Sequence, residues 1–324
     1  MKIKDIYNFF IEAGIEADPR GKTLVDSDLK KRKRRFEALK ETEKNNFDKE
    51  SLTNPYYDSR IIYGDEEIEV KTAIVGIDVE TPEVLLASKL KEMGKSIDLI
   101  IAHHPEGFAY SSFANVIYMQ SDILNKAGVP INISEKLVSE RAGEVSRSVY
   151  PQNNERVSEA AKLLNIPFMN VHTPADNCAV SFLQKGIDAV RPAYLWEILE
   201  FLNKQPEYIY ASKAGQPPII LNGNKDSRCG KVFVDMTGGT EGPIQSLEHL
   251  SQAGIGTIVG MHMSEKALKE AERCKINVLL AGHISSDNLG LNILFDKMES
   301  KLGVLELLEF SGFKRFKRPI QDIQ

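Results

Sequence analysis

The sequence predicts a layered α/β protein that contains a duplicated βαβ unit. Ala73 to Pro105, AIVGIDVETPEVLLASKLKEMGKSIDLIIAHHP, lines up with Thr257 to Ser285, TIVGMHMSEKALKEAERCKINVLLAGHIS, a copy four residues shorter. Each copy reads as a strand ending Ile-Val-Gly, a polar turn, an amphipathic helix, and an aliphatic strand that stops at histidine. Apolar residues fall at helical spacing in LLASKLKEM and ALKEAERC, whereas DLIIA and NVLLA contain the unbroken apolar runs of strands buried on both faces. Helices alternating with such strands give layered α/β structure.

The chain has 324 residues, 42% of them hydrophobic, enough for the core of one large domain or two ordinary ones. Its start, MKIKDIYNFFIEAGIEADPRG, scatters charges and has no apolar core before a cleavage site, so no secretory signal is expected. No apolar run approaches the roughly 20 residues of a membrane-spanning helix. A cytoplasmic protein without membrane contacts is therefore expected. Cys178, Cys229 and Cys274 are far apart and lack C-x-x-C spacing, which argues against a disulfide framework or a thiolate zinc knuckle. A bound metal would have to be held by nitrogen and oxygen. The formal net charge of −5 provides no basic field for nucleic acid. The one basic run, KKRKRR at Lys30 to Arg35, is expected to lie on a solvated helix capped by Asp26, Ser27 or Asp28.

Between and beyond the copies, ANVIYMQSDILNKAGVPINIS reads as a helix and a strand, and NNERVSEAAKLLNIPFMNVHTPADN as a helix, a strand and the start of another helix. PAYLWEILEFLNKQ is an amphipathic helix that should place the only tryptophan, Trp196, in the core. EYIYAS, PPIILNG and GKVFVDM read as strands. DMTGGTEGP, Asp235 to Pro243, leads into the helix IQSLEHL. It lacks G-x-G-x-x-G or Walker spacing and reads as a tight turn, with a phosphate at the helix start as the alternative.

Histidines carry the chemical signal. His103 and His104 end the first aliphatic strand; adjacent strand residues point to opposite faces, but a turn at Pro105 lets both rings reach one site. In NVHTPADN, His172 and Asp176 stand four apart, with Thr173 as N-cap, Pro174 at the first helical position and Asp176 in the first turn. In AGHISSDNLG, His283 and Asp287 again stand four apart, on one helical face. Taken singly, each fragment has a plain structural explanation. Together, three strand ends that each deliver histidine, two of them with aspartate four residues on, point to a metal site. Imidazole plus carboxylate suits zinc, iron, manganese or nickel, and ligand sites in open α/β sheets gather at the carboxyl ends of strands. Asp78 and His262 hold equivalent places in the two copies, one strand earlier, where they would orient ligand imidazoles or touch substrate. Glu106 is a candidate proton acceptor.

DLIIAHHP, HTPAD and GHISSD, in that order, resemble the Nif-three-like dinuclear metal-binding family, the GTP cyclohydrolase I type 2 homologues. The resemblance runs from the IVGIDV strand to the carboxyl-terminal quarter. It implies two intertwined, duplicated α/β repeats with mixed sheets: residues 1–180 with the amino-terminal basic helix, residues 181–324, and a metal site between them. It implies a ring-shaped homohexamer with two divalent metal ions per subunit. Carried over by motif, His103, His104, Asp176, His283 and Asp287 are ligands, with Asp176 as the bridging carboxylate and His172, Asp78 and His262 as supporting residues around them. Asp287 stands where the family usually has glutamate, one methylene longer. The implied activity is a metal-dependent hydrolase that uses a metal-bridging hydroxide on a small molecule, whether nucleotide, phosphoester or purine ring. The alternative is a non-enzymatic metal-binding, regulatory or adaptor protein.

Overall fold

The aliphatic runs of the duplicated unit become parallel strands inside two separate sheets. In the computed structural model, which describes residues 1–319 and 321, helices α1 (Ile3–Ala17), α2 (Lys22–Glu37) and α3 (Glu41–Lys44) precede strands β1 (Ile61–Tyr63) and β2 (Thr72–Gly76). Helix α4 (Thr81–Glu92) leads to β3 (Leu99–Ala102). Then α5 (Gly107–Ser111), α6 (Gln120–Ala127), α7 (Ile131–Val149) and α8 (Glu155–Leu163) come before β4 (Phe168–Asn170). Helices α9 (Thr173–Val190), α10 (Leu195–Leu202) and α11 (Pro206–Lys213) connect to β5 (Ile219–Asn222), β6 (Lys231–Asp235), α12 (Ser246–Gln252), β7 (Ile255–Gly260), α13 (Glu265–Arg273) and β8 (Asn277–Leu280). The long α14 (His283–Leu302) and β9 (Glu306–Glu309) follow.

One sheet has the order β1-β4-β3-β2-β9 and the other β5-β8-β7-β6, each parallel except for one antiparallel edge strand, β1 or β5. The fold is thus α/β with two mixed sheets. In both copies the two strands pair in parallel, Gly76 opposite Ala102 and Gly260 opposite Leu280, so the second copy is shifted by one residue when Ala102 is matched with Ala281. Beside them, β9 runs parallel to β2 and β6 parallel to β7, so equivalent flanks are supplied from different parts of the chain. Residue 180 lies inside α9, and β9 returns from the carboxyl-terminal end to the first sheet.

Strand alternation explains the layering. On the first sheet, Ile74 and Ile100 face a cluster with α4 and α8, while Val75, Ile101 and Met169 face the central core formed with α1, α9 and α14. The second sheet sends Val259 and Leu279 into that same central core and Ile258 and Val278 toward α7, α12 and α13. Full burial of each such aliphatic side chain is worth roughly 1.5–3 kcal/mol. Helices α9 and α14 cross closely because residue 290 is glycine: a Cβ there would lie 2.3 Å from the Ala175 carbonyl oxygen. The open edge of β6 is covered by Gln184 of α9, which accepts from Val234 N and donates to Val232 O as a neighbouring strand would.

Several sequence expectations are corrected. EYIYAS is not a strand but most of α11, where Pro206 opens the helix and Tyr208 and Glu207 turn inward. The expected strand at INIS is the first turn of α7, with Pro130 as its N-cap. Helix α2 starts at Lys22 behind Gly21, so Asp26, Ser27 and Asp28 lie within it, and Asp28 pairs with Arg32 one turn on. Trp196 is 43% exposed rather than in the core, because Leu195, Ile198 and Leu202 form the inward stripe of α10. The N-cap of α9 is His172, one residue before Thr173.

Candidate metal centre

His103 leaves β3 with its N–H bonded to Gly76 O, and its fully buried ring spends Nδ1 on Val171 O at 3.0 Å. The other nitrogen, Nε2, therefore faces inward, 3.4 Å from Asp176 Oδ1 and 3.4 Å from Asp287 Oδ1. His104 gives Nδ1 to Asp78 Oδ1 at 2.6 Å and sets Nε2 3.5 Å from Asp287 Oδ2. The strand stops at Ala102, so the two adjacent rings come together with centroids 5.2 Å apart. From the other sheet, His283 opens α14 behind Gly282, whose φ of +107° suits glycine, and places Nε2 3.7 Å from Asp287 Oδ2 one turn along the same helix. Asp176 occupies the first turn of α9.

One donor atom from each of His103, Asp176 and Asp287 lies within 4.8 Å of the others, and the same holds for His104, His283 and Asp287. Asp287 belongs to both groups, one oxygen turned toward His103 and the other toward His104 and His283. Asp287 is thus common to those two groups, and Asp176 belongs to one of them. His103, His104 and His172 form a third group by the same criterion. The His172 ring is 4.8 Å from that of His103 and engages Asp58 Oδ2 through Nδ1 at 2.8 Å. Asp58 is fully buried and also accepts from Thr173 and Ser59. No motif or spacing in the sequence marks Asp58. His262 packs beside the His283 ring at 5.1 Å, and Asp78 is the partner of His104.

Four buried atoms here have no hydrogen-bond partner: His103 Nε2, Asp176 Oδ1 and both oxygens of Asp287. Buried polar atoms are nearly always paired, and leaving one unsatisfied costs about 1–3 kcal/mol. Convergence of four such atoms, all nitrogen and carboxylate oxygen, fits a cation held at ~2 Å from each donor, and the buried His/Asp groups could hold a metal ion. Electrostatics agree. Burial opposes a charged His103 ring, yet Asp287 and Asp176 hold its pKa well above the usual range. Burial likewise opposes charge on His104, which Asp287 and Asp78 raise to about 9. Asp287 is driven the other way: burial favours its protonation, and His103, His104 and His283 hold its pKa far below normal. Burial lowers His283. Glu106 is raised to about 7, chiefly by burial and then by Glu80.

A narrow cleft of about 90 Å³ adjoins the centre, bounded by Asp176, His283 and Asp287 on one side and the glycine-rich loop after β6 on the other. That loop bends at Gly238 and Gly239, whose φ angles are +91° and +89°, without the backbone hydrogen bond of the expected tight turn. Buried Gln120 clamps it by donating to Gly238 O at 2.9 Å and Thr240 O at 2.8 Å. A Cβ at Gly238 would lie 2.6 Å from Gln120 Cγ. Among the described residues, no helix is long and apolar enough to cross a membrane.

No model of a known protein family matches the sequence, and no curated protein matches it. Among solved structures, the chain is similar to an NIF3 superfamily protein from Sphaerobacter thermophilus, with 25% identity, 79% of this chain and 92% of that one covered, and a TM-score of 0.69. Reduced HcgD from Methanocaldococcus jannaschii matches with 16% identity over 78% of this chain and 89% of that one, at a TM-score of 0.47. Protein ybgI matches with 11% identity over 96% and 98%, at a TM-score of 0.47.

Proposed function

We propose that this chain, which shares the fold of an NIF3 superfamily protein, holds two divalent metal ions in its histidine–aspartate centre and uses them for hydrolysis. The observation that carries this reading is the convergence of the unpartnered buried atoms of His103, Asp176 and Asp287. One ion would be held by His103, Asp176 and Asp287, the second by His104, His283 and Asp287, with Asp287 shared. This nitrogen and oxygen donor set suits zinc, iron, manganese or nickel.

When bound, such a pair of ions supplies Lewis acidity and acidifies water. The chain's own residues do the rest. Asp78 and Val171 O fix His104 and His103 with Nε2 facing inward, the outer-shell arrangement that sets imidazole orientation and basicity. His283 is 43% exposed, and the adjoining cleft leaves one side of the centre accessible, which favours a catalytic site over a closed structural one.

Elemental analysis of purified protein, paired with a hydrolysis screen in the presence and absence of chelator, tests the reading. Two ions per chain and chelator-sensitive turnover are expected; protein that stays metal-free in metal-replete medium would refute it. The homohexamer and the cytoplasmic location belong to the same proposal, and light scattering should return six chain masses.

A further inference from the structure

The chain beyond β9 runs behind the candidate centre and then along α14, and it fastens beside each member of one donor group. Ser311 bridges to the residues after β2: its carbonyl accepts from Ile77 N at 2.9 Å and its hydroxyl donates to Asp78 O. Asp78 is the residue whose carboxylate holds Nδ1 of His104. Ser311 does this with a φ of +39°, a backbone that residues bearing a side chain rarely adopt, so its contacts set its position. Gly312 then packs between Ile77 and Ile284, the neighbour of His283; a Cβ there would lie 3.4 Å and 3.5 Å from their side chains. The Gly312 carbonyl accepts at 2.9 Å from Nδ2 of buried Asn288, the neighbour of Asp287.

From Asn288 the segment is laced down α14. Asn288 Oδ1, Asn292 Oδ1 and Asp296 Oδ2 accept from the backbone N–H groups of Lys314, Phe316 and Arg318 at 2.6, 3.0 and 3.0 Å. Two periods match here: four residues of helix rise about 6 Å and two residues of extended chain about 6.6 Å, so alternate N–H groups meet successive turns. The far end is locked by Arg318, whose Nη1 lies 2.7 Å from Oε1 of buried Glu207 of α11, and by Arg315, paired with Asp296 at 2.6 Å.

We infer that residues 311–318 form a positioning strap for the His104–His283–Asp287 group, and so set the affinity of the second ion without governing the first; the effect on an ion rests on the two-ion reading above. Each donor adjoins a point that the strap holds: His104 through Asp78, His283 through Ile284 and Asp287 through Asn288. The first ion keeps His103, fixed by Val171 O, and Asp176, in the first turn of α9. Among the described residues, no hydrogen bond joins the strap to either.

Asn288→Ala and Ser311→Ala cut the two fastenings nearest the centre, and Val138→Ala, in the separate cluster under the second sheet, controls for lost stability. Zinc is titrated into the metal-free full chain in competition with a chromophoric chelator, and melting temperatures are measured without metal. Wild type should give two affinities. Asn288→Ala should weaken one of them roughly tenfold, as outer supports of a metal site do. Ser311→Ala should weaken the same one by less, and both should leave the other as in wild type; a merely structural role would lower both or neither. Adding Asn288→Ala to Asp176→Ala identifies the ion, because the one that Asp176→Ala retains should weaken by the same factor. Equal weakening of both ions, wild-type affinities in Asn288→Ala, loss confined to the ion that Asp176→Ala removes, or the same selective loss in Val138→Ala overturns the strap's role. Ser311→Ala decides if Asn288→Ala does not fold. Wild type that binds fewer than two ions defeats the two-ion reading instead. The crystal structure of the metal-free strap variant then decides the positioning: His104, His283 and Asp287 should be displaced with His103 and Asp176 in place, and five unmoved side chains would overturn it.

Discussion

The carboxylate of Asp58 accepts a 2.8 Å hydrogen bond from Nδ1 of His172, 114 residues further along the chain. That bond commits Nδ1 and leaves the other ring nitrogen of His172 free beside His103 and His104. Outer partners of this kind typically govern metal affinity by 10–100-fold. Asp58→Asn should therefore weaken metal binding by about that factor in competition with a chromophoric chelator. The melting temperature of the chelated variant separates this effect from misfolding. Unchanged affinity would place His172 outside the centre.

Asp287 and Asp176 should differ in kind. Asp287 shares in both donor groups and Asp176 in one. Asp287→Ala should thus strip both ions, whereas Asp176→Ala should leave close to one per chain by elemental analysis. Equal stoichiometry in the two variants would remove Asp287 from the shared position.

Metal uptake near pH 7 should release protons. The neighbouring carboxylates overcome burial to hold His103 well above its usual value and His104 at about 9, so both rings are protonated at pH 7 before the ions enter. Metals bind neutral imidazole. Apparent affinity should rise with pH up to about 9 and fall as the solution is acidified. In metal-free protein the sign is opposite. A raised histidine pKa stabilises the fold fully below the ordinary value of 6.5, and the gain is lost as pH climbs through about 9. Calorimetric titration in buffers of different ionisation enthalpy counts the released protons, and a count of zero would contradict the assignment.

Gly290→Ala should damage the fold and the centre together. The added methyl would press on the Ala175 carbonyl at 2.3 Å, forcing apart the two helices that carry Asp176 and Asp287. Overpacking of this kind costs typically about 1–3 kcal/mol. Chemical denaturation should show that loss, and the metal affinity of the folded fraction should drop with it. A variant with native stability and native affinity would mean that the crossing can relax.

Local patterns were legible where one physical preference dominated. The unbroken apolar stretches of DLIIA and NVLLA read as strands, and both are: β3 is buried throughout, and β8 is buried at Val278 and Leu279. His283 and Asp287 share a face because helix periodicity leaves no other arrangement. EYIYAS alternates large apolar residues as a strand would, but Pro206 opens a helix whose inner side takes Tyr208. Trp196 lies outward although it is large and apolar, because hydrophobicity alone does not say which stripe of a helix meets the core.

By itself the sequence determined the α/β class, the duplicated unit, and the histidines and aspartates at strand ends, because these follow from periodicity and residue chemistry within short windows. Only the tertiary structure decided that Asp287 belongs to two donor groups, that Asp58 locks His172, and that the glycine-rich loop after β6 borders the centre. Those relationships join residues far apart in the chain through the crossing of α9 over α14 and the facing ends of two sheets. Such contacts are set by packing across the whole core, which no local spacing encodes.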